Sequence, residues 1–207
     1  MAVPKVKFIW SFVYEENLHA PYLKGVKFND KQYRKYVYSY IRKIEKKWNP
    51  ISNKILEYMQ SISGLKFKRR VIACYVIKIS SAPPFSSPLT IPIQTKRNNK
   101  IFIKSIDRFI DTLIHELIHN LFIDNDLWDY FSYILDKKYK KEKFATAIHV
   151  PLHAMHKEIF LKFFEKKRFN EELKIMKFHP AYNKSWKIVN KEGSKNIIKE
   201  MKAFIKK

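Results

Sequence analysis

The chain has 207 residues, 46% apolar and 15% aromatic, with 42 lysines and arginines against 19 acids and a formal charge of +23. That length suits one globular domain, and the apolar share excludes a disordered chain. The single cysteine, Cys74, excludes an internal disulfide and fits cytoplasmic residence. No uninterrupted apolar run is long enough to span a membrane, and the uncharged stretch from Ser80 to Thr95 is broken by Pro83, Pro84, Pro88 and Pro92. Acids arrive at Glu15 and Glu16, too early for a signal peptide. The excess positive charge attracts polyanions, nucleic acid among them, or solvates a lysine-rich surface.

In chain order, "KFIWSFVYEE" reads as a strand. From Asn29, Tyr33, Tyr36, Val37, Tyr40, Ile41, Ile44 and Trp48 recur at helical steps. Asn49-Pro50 ends that helix and starts a second, which buries Ile51, Ile55, Met59 and Ile62 and stops at Gly64. "RRVIACYVIKI" (Arg69 to Ile79) is β-branched and aromatic, a buried strand. "LTIPIQT" (Leu89 to Thr95) alternates, and Pro92 places it at a sheet edge. "KIFIK" (Lys100 to Lys104) follows "KRNN", a turn that closes a hairpin. After Ser105 helices are expected at Ser105–Phe122, Leu127–Lys140, Pro151–Lys166, Phe169–Lys177 and from Lys195 onward. The whole is an α+β fold in one unit, 1–207: strand, two helices and a small mixed sheet over 1–104, then a helical half over 105–207 that carries a metal site.

"DTLIHELIHNLF" (Asp111 to Phe122) carries that site. On a helix, Ile106, Ile110, Leu113, Leu117 and Leu121 share one arc, and His115 and His119 stack one turn apart on its flank. Two imidazoles at that spacing reach one Zn²⁺ at about 2.0–2.1 Å. Glu116 is rotated off their line, placed to act as general base on a zinc-activated water. Asp111 and Asp124 are candidate supporting carboxylates, with helix-end or surface charge as the plainer explanation.

A catalytic zinc needs a third protein ligand and an open position. The metzincin pattern is excluded, because Phe122 and Asn125 stand where it needs glycine and histidine. "IHVPLHAMHKEIF" (Ile148 to Phe160) offers His149, His153 and His156 on one face, while Glu158 and Glu165 point the other way. A histidine ligand is therefore favoured over a glutamate. His153 stands first and His149 almost equal, because Pro151 reads as the first helical residue. A histidine that does not ligate can orient one that does.

With "HELIH" and the preceding "LTIPIQT", the chain resembles the zincin metallopeptidases. "HELIHNLFIDND" and "HVP" at His149 are similar to the SprT-like proteases, which act on DNA-associated proteins. The stretch between His119 and His149 is longer than that family's, and Val150 replaces its glycine. Small gluzincins are the other neighbour. The resemblance covers about a third of the chain. It implies a zinc-dependent peptidase acting on peptide or protein substrates, with an edge strand above the active-site helix, filled here by Leu89 to Thr95, that binds substrate backbone by strand addition. It also implies an oxyanion donor, for which "HPAYNKSW" offers His179 and Tyr182.

The competing expectation is a basic nucleic-acid-binding protein with a structural metal site or none. "KQYRKYVYSYIRK", "LDKKYKKEK" and "FFEKKRF" interleave cations with aromatics. The tyrosines of the first cluster fall on its helix's apolar face, away from any base. A peptidase made latent by its own N-terminal arm is a third possibility.

Overall fold

β-branched and aromatic runs ahead of residue 104 pair into one small sheet, and helix dominates the remainder. The computed structural model describes residues 3–19, 30–97 and 100–206. The fold is α+β, with a five-stranded mixed sheet. By density of internal packing the chain forms two units: a sheet unit (Ala2–Asn53 and Arg69–Asn120) and a helical unit (Lys54–Lys68 and Leu121–Lys207). The boundaries after Asn53 and after Asn120 fall inside helices, and the one after Lys68 falls in the segment between residues 63 and 71.

In the sheet unit, β1 (Lys5–Ile9) and β4 (Leu89–Arg97) both lie parallel to β2 (Val71–Ser80), on either side of it. The hairpin is present: β5 (Lys100–Ile103) runs antiparallel to β4, while Asn98 and Asn99 of the expected turn lie outside the described residues. A short β3 (Phe85–Ser86), hidden among prolines, also pairs antiparallel with β4. This corrects the expectation of an edge position for "LTIPIQT", because β4 has neighbours on both sides. β3 reaches only Thr90 and β5 begins opposite Gln94, so Pro92 sits in the interval they leave. A residue lacking an N–H is tolerated where no partner strand needs it.

The expected N-terminal strand is half helix: after β1 the chain turns at Ser11 into α1 (Phe12–His19). The Ser11 hydroxyl accepts from Tyr14 N at 3.3 Å, a helix cap. The turn buries Glu15, whose carboxylate accepts from Trp10 Nε1 (2.7 Å), Tyr33 OH (2.7 Å) and Lys78 N (2.5 Å). Three donors satisfy an acid that would otherwise be costly to bury.

Proline did not divide the helices. α2 is one helix, Lys31–Ser63, with Pro50 inside it. Val37, Ile44 and Trp48 before the proline and Ile55 and Met59 after it are at most 1% exposed. Each large apolar side chain so buried contributes about 1.5–3 kcal/mol, which outweighs the roughly 3 kcal/mol of an interior proline.

α3 (Ile106–Asp124) follows, then α4 (Trp128–Tyr133), which runs on as a π-helical turn over Ile134–Lys138. In the helical unit, α5 (Phe144–Phe163) packs against α6 (Lys166–Met176), α7 (Pro180–Glu192) and α8 (Ser194–Ile205). Met155, Val189 and Met201 are fully buried in that packing. Among the described residues no helix is long and apolar enough to cross a membrane.

Candidate metal centre

Helix α3 begins where Ser105 caps it, its hydroxyl accepting from Arg108 N at 3.1 Å. The arc of Ile110, Leu113, Ile114, Leu117, Ile118 and Leu121 is fully buried, which fixes the helix's rotation. His115 and His119 follow on the flank, ring centroids 5.1 Å apart and planes at 70°. His115 is buried and His119 half-buried, and Asp111, one turn earlier, is buried too.

Glu116 is 6% exposed. Its Oε2 accepts from the Ser86 hydroxyl at 2.6 Å. Asn120 Nδ2 donates to the Ser86 carbonyl (3.0 Å) and the Glu116 carbonyl (2.8 Å), and Asn120 Oδ1 accepts from Arg69 Nη2 at 2.6 Å. Burial pushes the Glu116 carboxyl up to about 7, against the lowering effect of the Ser86 hydrogen bond. Cys74, fully buried, has its thiol pushed up by burial first and by the Glu116 charge second. Neither Ser86 nor Asn120 was singled out from the sequence. Asn120 lies one turn beyond Glu116 and was findable by spacing; Ser86, in a proline-rich stretch, carried no signal.

α5 begins at Phe144, so Pro151 is inside the helix and not its first residue. His149 therefore sits within a helical turn, contrary to the expected start. Its Nδ1 donates to the Ala145 carbonyl at 2.6 Å, which puts the ring proton on Nδ1 and the lone pair on Nε2. Burial draws its pKa down to about 4, opposed by that hydrogen bond and aided by His179, so the ring is neutral at pH 7. Tyr182 lies against it, centroids 4.3 Å apart, and His179 stacks on Tyr182 at 5.0 Å.

The other two α5 histidines are built into the helical unit. His153 is fully buried, with Nδ1 2.9 Å from the Ser185 hydroxyl and its ring stacked on Trp186 at 4.4 Å and 11°. His156 meets Phe160 edge to face at 4.6 Å. Glu158 accepts from the Ser194 hydroxyl at 2.5 Å, and Asp124 accepts from Lys68 N at 3.2 Å, so both carboxylates serve local structure.

One ring nitrogen from each of His115, His119 and His149 lies within 4.8 Å of the other two. His153, the first-placed candidate from sequence, is not in that group, nor is His156. Nitrogens bound tetrahedrally to one zinc at about 2.0–2.1 Å lie about 3.4 Å apart, so the three ring nitrogens would draw together on binding the ion. Three imidazoles are a donor set that zinc takes readily. The chain matches no protein-family model, no curated protein and no solved structure.

Proposed function

We propose that the chain is a zinc-dependent metallopeptidase in which His115, His119 and His149 hold the ion and Glu116 is the general base. The observation that carries this reading is the convergence of three imidazole nitrogens within 4.8 Å, with Glu116 next in sequence to one of them. Zinc supplies a Lewis acid for a peptide carbonyl and makes water nucleophilic near neutral pH. The chain's own groups do the rest. The hydrogen bond from His149 Nδ1 to Ala145 fixes which nitrogen ligates. The Ser86 hydroxyl holds one oxygen of Glu116, and the other accepts the proton of the attacking water and delivers it to the leaving amine nitrogen. Tyr182, beside His149, is the candidate donor to the developing oxyanion.

The test is zinc analysis of purified wild type together with hydrolysis of an unfolded casein substrate. The expected result is about one zinc per chain and cleavage that stops with a chelator and with Glu116→Gln. The competing reading, a nucleic-acid-binding protein with a structural metal or none, is favoured by the formal charge of +23. It predicts no cleavage, and polyanion affinity that neither treatment changes.

A further inference from the structure

Helix α8 carries lysines at 195, 199, 202 and 206, which fall within about 60° on a helical wheel and span about 16 Å. Like charges one turn apart oppose helix formation. Among the described residues no carboxylate pairs with any of the four; Lys202 Nζ reaches only the Ser61 carbonyl, at 3.3 Å. The one acid of α8, Glu200, is committed to Lys138, which also pairs with Glu192 at 2.8 Å. The helix thus neutralises one of its sides and leaves the other a row of positive charge.

That row borders a cleft of about 530 Å³, within the range of real ligand sites. The floor is apolar and partly aromatic: Tyr58 and Ile62 from the end of α2, and Ile198 from α8. Phe163 steadies the Tyr58 ring edge to face, centroids 5.4 Å apart. Glu158 also lines the cleft. One of its oxygens takes the Ser194 hydroxyl, and the carboxylate, which can only accept, can take N–H donors as well.

A ligand fitting all three features carries anions repeated along a chain, flat rings for an apolar floor, and N–H donors for a carboxylate. An acidic peptide lacks the flat rings and offers mostly acceptors in its side chains. A duplex hides its bases. We propose that the α8 cleft binds single-stranded nucleic acid, phosphates on the lysine row and bases on the Tyr58–Ile62–Ile198 floor, with Glu158 accepting from base N–H groups. This site is independent of zinc and of Glu116.

The test is fluorescence anisotropy of a labelled twelve-nucleotide oligodeoxycytidylate with the full chain across a salt series. Lys195→Glu/Lys199→Glu is compared with Lys43→Glu/Lys46→Glu, which changes net charge equally on α2. We expect the α8 pair to weaken binding at least tenfold and flatten the salt dependence by about two counterions. The α2 pair changes binding less than threefold. Tyr58→Ser weakens the oligonucleotide about tenfold and leaves heparin binding unchanged. Equal effects of the two lysine pairs overturn the proposal. So does a Tyr58→Ser protein of wild-type affinity, or competition by polyglutamate or phosphatidylserine vesicles as effective as by unlabelled oligonucleotide. The four lysines and Tyr58 are at least partly exposed, so both variants leave the core intact, and circular dichroism confirms folding.

Discussion

Helices α3 and α5 each turn histidines toward buried surroundings, and they hold them in different ways. On α3 the two rings meet edge to face, and Ser86 and Asn120 bond to the neighbouring Glu116. On α5 each ring has its own local partner: the Ala145 carbonyl for His149, Ser185 and Trp186 for His153, Phe160 for His156. Burial alone does not separate a ligand from a core residue, since His149 is 6% exposed and His153 0%. What separates them is placement: a ring nitrogen of His149 lies within 4.8 Å of one from His115 and one from His119, while His153 stands outside that group with its ring stacked on Trp186.

That contrast is sharpest in metal content. His115→Ala and His149→Ala should each abolish stoichiometric zinc by elemental analysis, while His153→Ala keeps it; zinc lost with His153 and kept with His149 would falsify the division drawn on α5. Next in size, Glu116→Gln should cut peptide hydrolysis about 10²- to 10⁴-fold with zinc unchanged. His153→Ala strands the Ser185 hydroxyl and opens a cavity beside Trp186, so urea unfolding should show a loss of about 2–4 kcal/mol. A stability within 0.5 kcal/mol of wild type, on the usual scale for inert substitutions, contradicts its packing role. Smallest is Ser86→Ala, which removes one hydrogen bond to Glu116 and should cost about 1–2 kcal/mol. Its hydrolysis should fall more than its substrate affinity, because the carboxylate loses its orientation and the pocket does not; equal changes in kcat and KM argue against that.

α3 was readable because everything it needs is local: an apolar period, a serine cap, and two rings and an acid at fixed angular offsets. The choice between His149 and His153 was not local. Both share a face of α5, and only contacts from α7 distinguish them. α7 itself escaped notice because "HPAYNKSW" looks like a basic loop, although Pro180 directly after the His179 cap is a helix start. The misplaced starts and stops share one cause. Pro50 and Pro151 were read as boundaries from backbone chemistry, but apolar side chains on both sides of each are buried and carry the helix through. Pro92 misled in the opposite sense: the missing donor lies in a gap between two partner strands and not at an open edge. Glu15 likewise drew no attention, since an acid near the terminus looks solvated until three donors are found around it.

The hairpin strand β5 has a consequence for how the molecule behaves in bulk. Ile101, Phe102 and Ile103 are 55%, 54% and 64% exposed, on a strand paired on one side only among the described residues. Lys100 and Lys104 bracket them, so two copies meeting antiparallel along this rim would set ammonium against ammonium. Such a guard works by repulsion and weakens as salt screens it. Concentrated stocks should therefore stay clear in dilute buffer and turn cloudy as ionic strength rises, a colloidal limit to which these two lysines contribute at the rim.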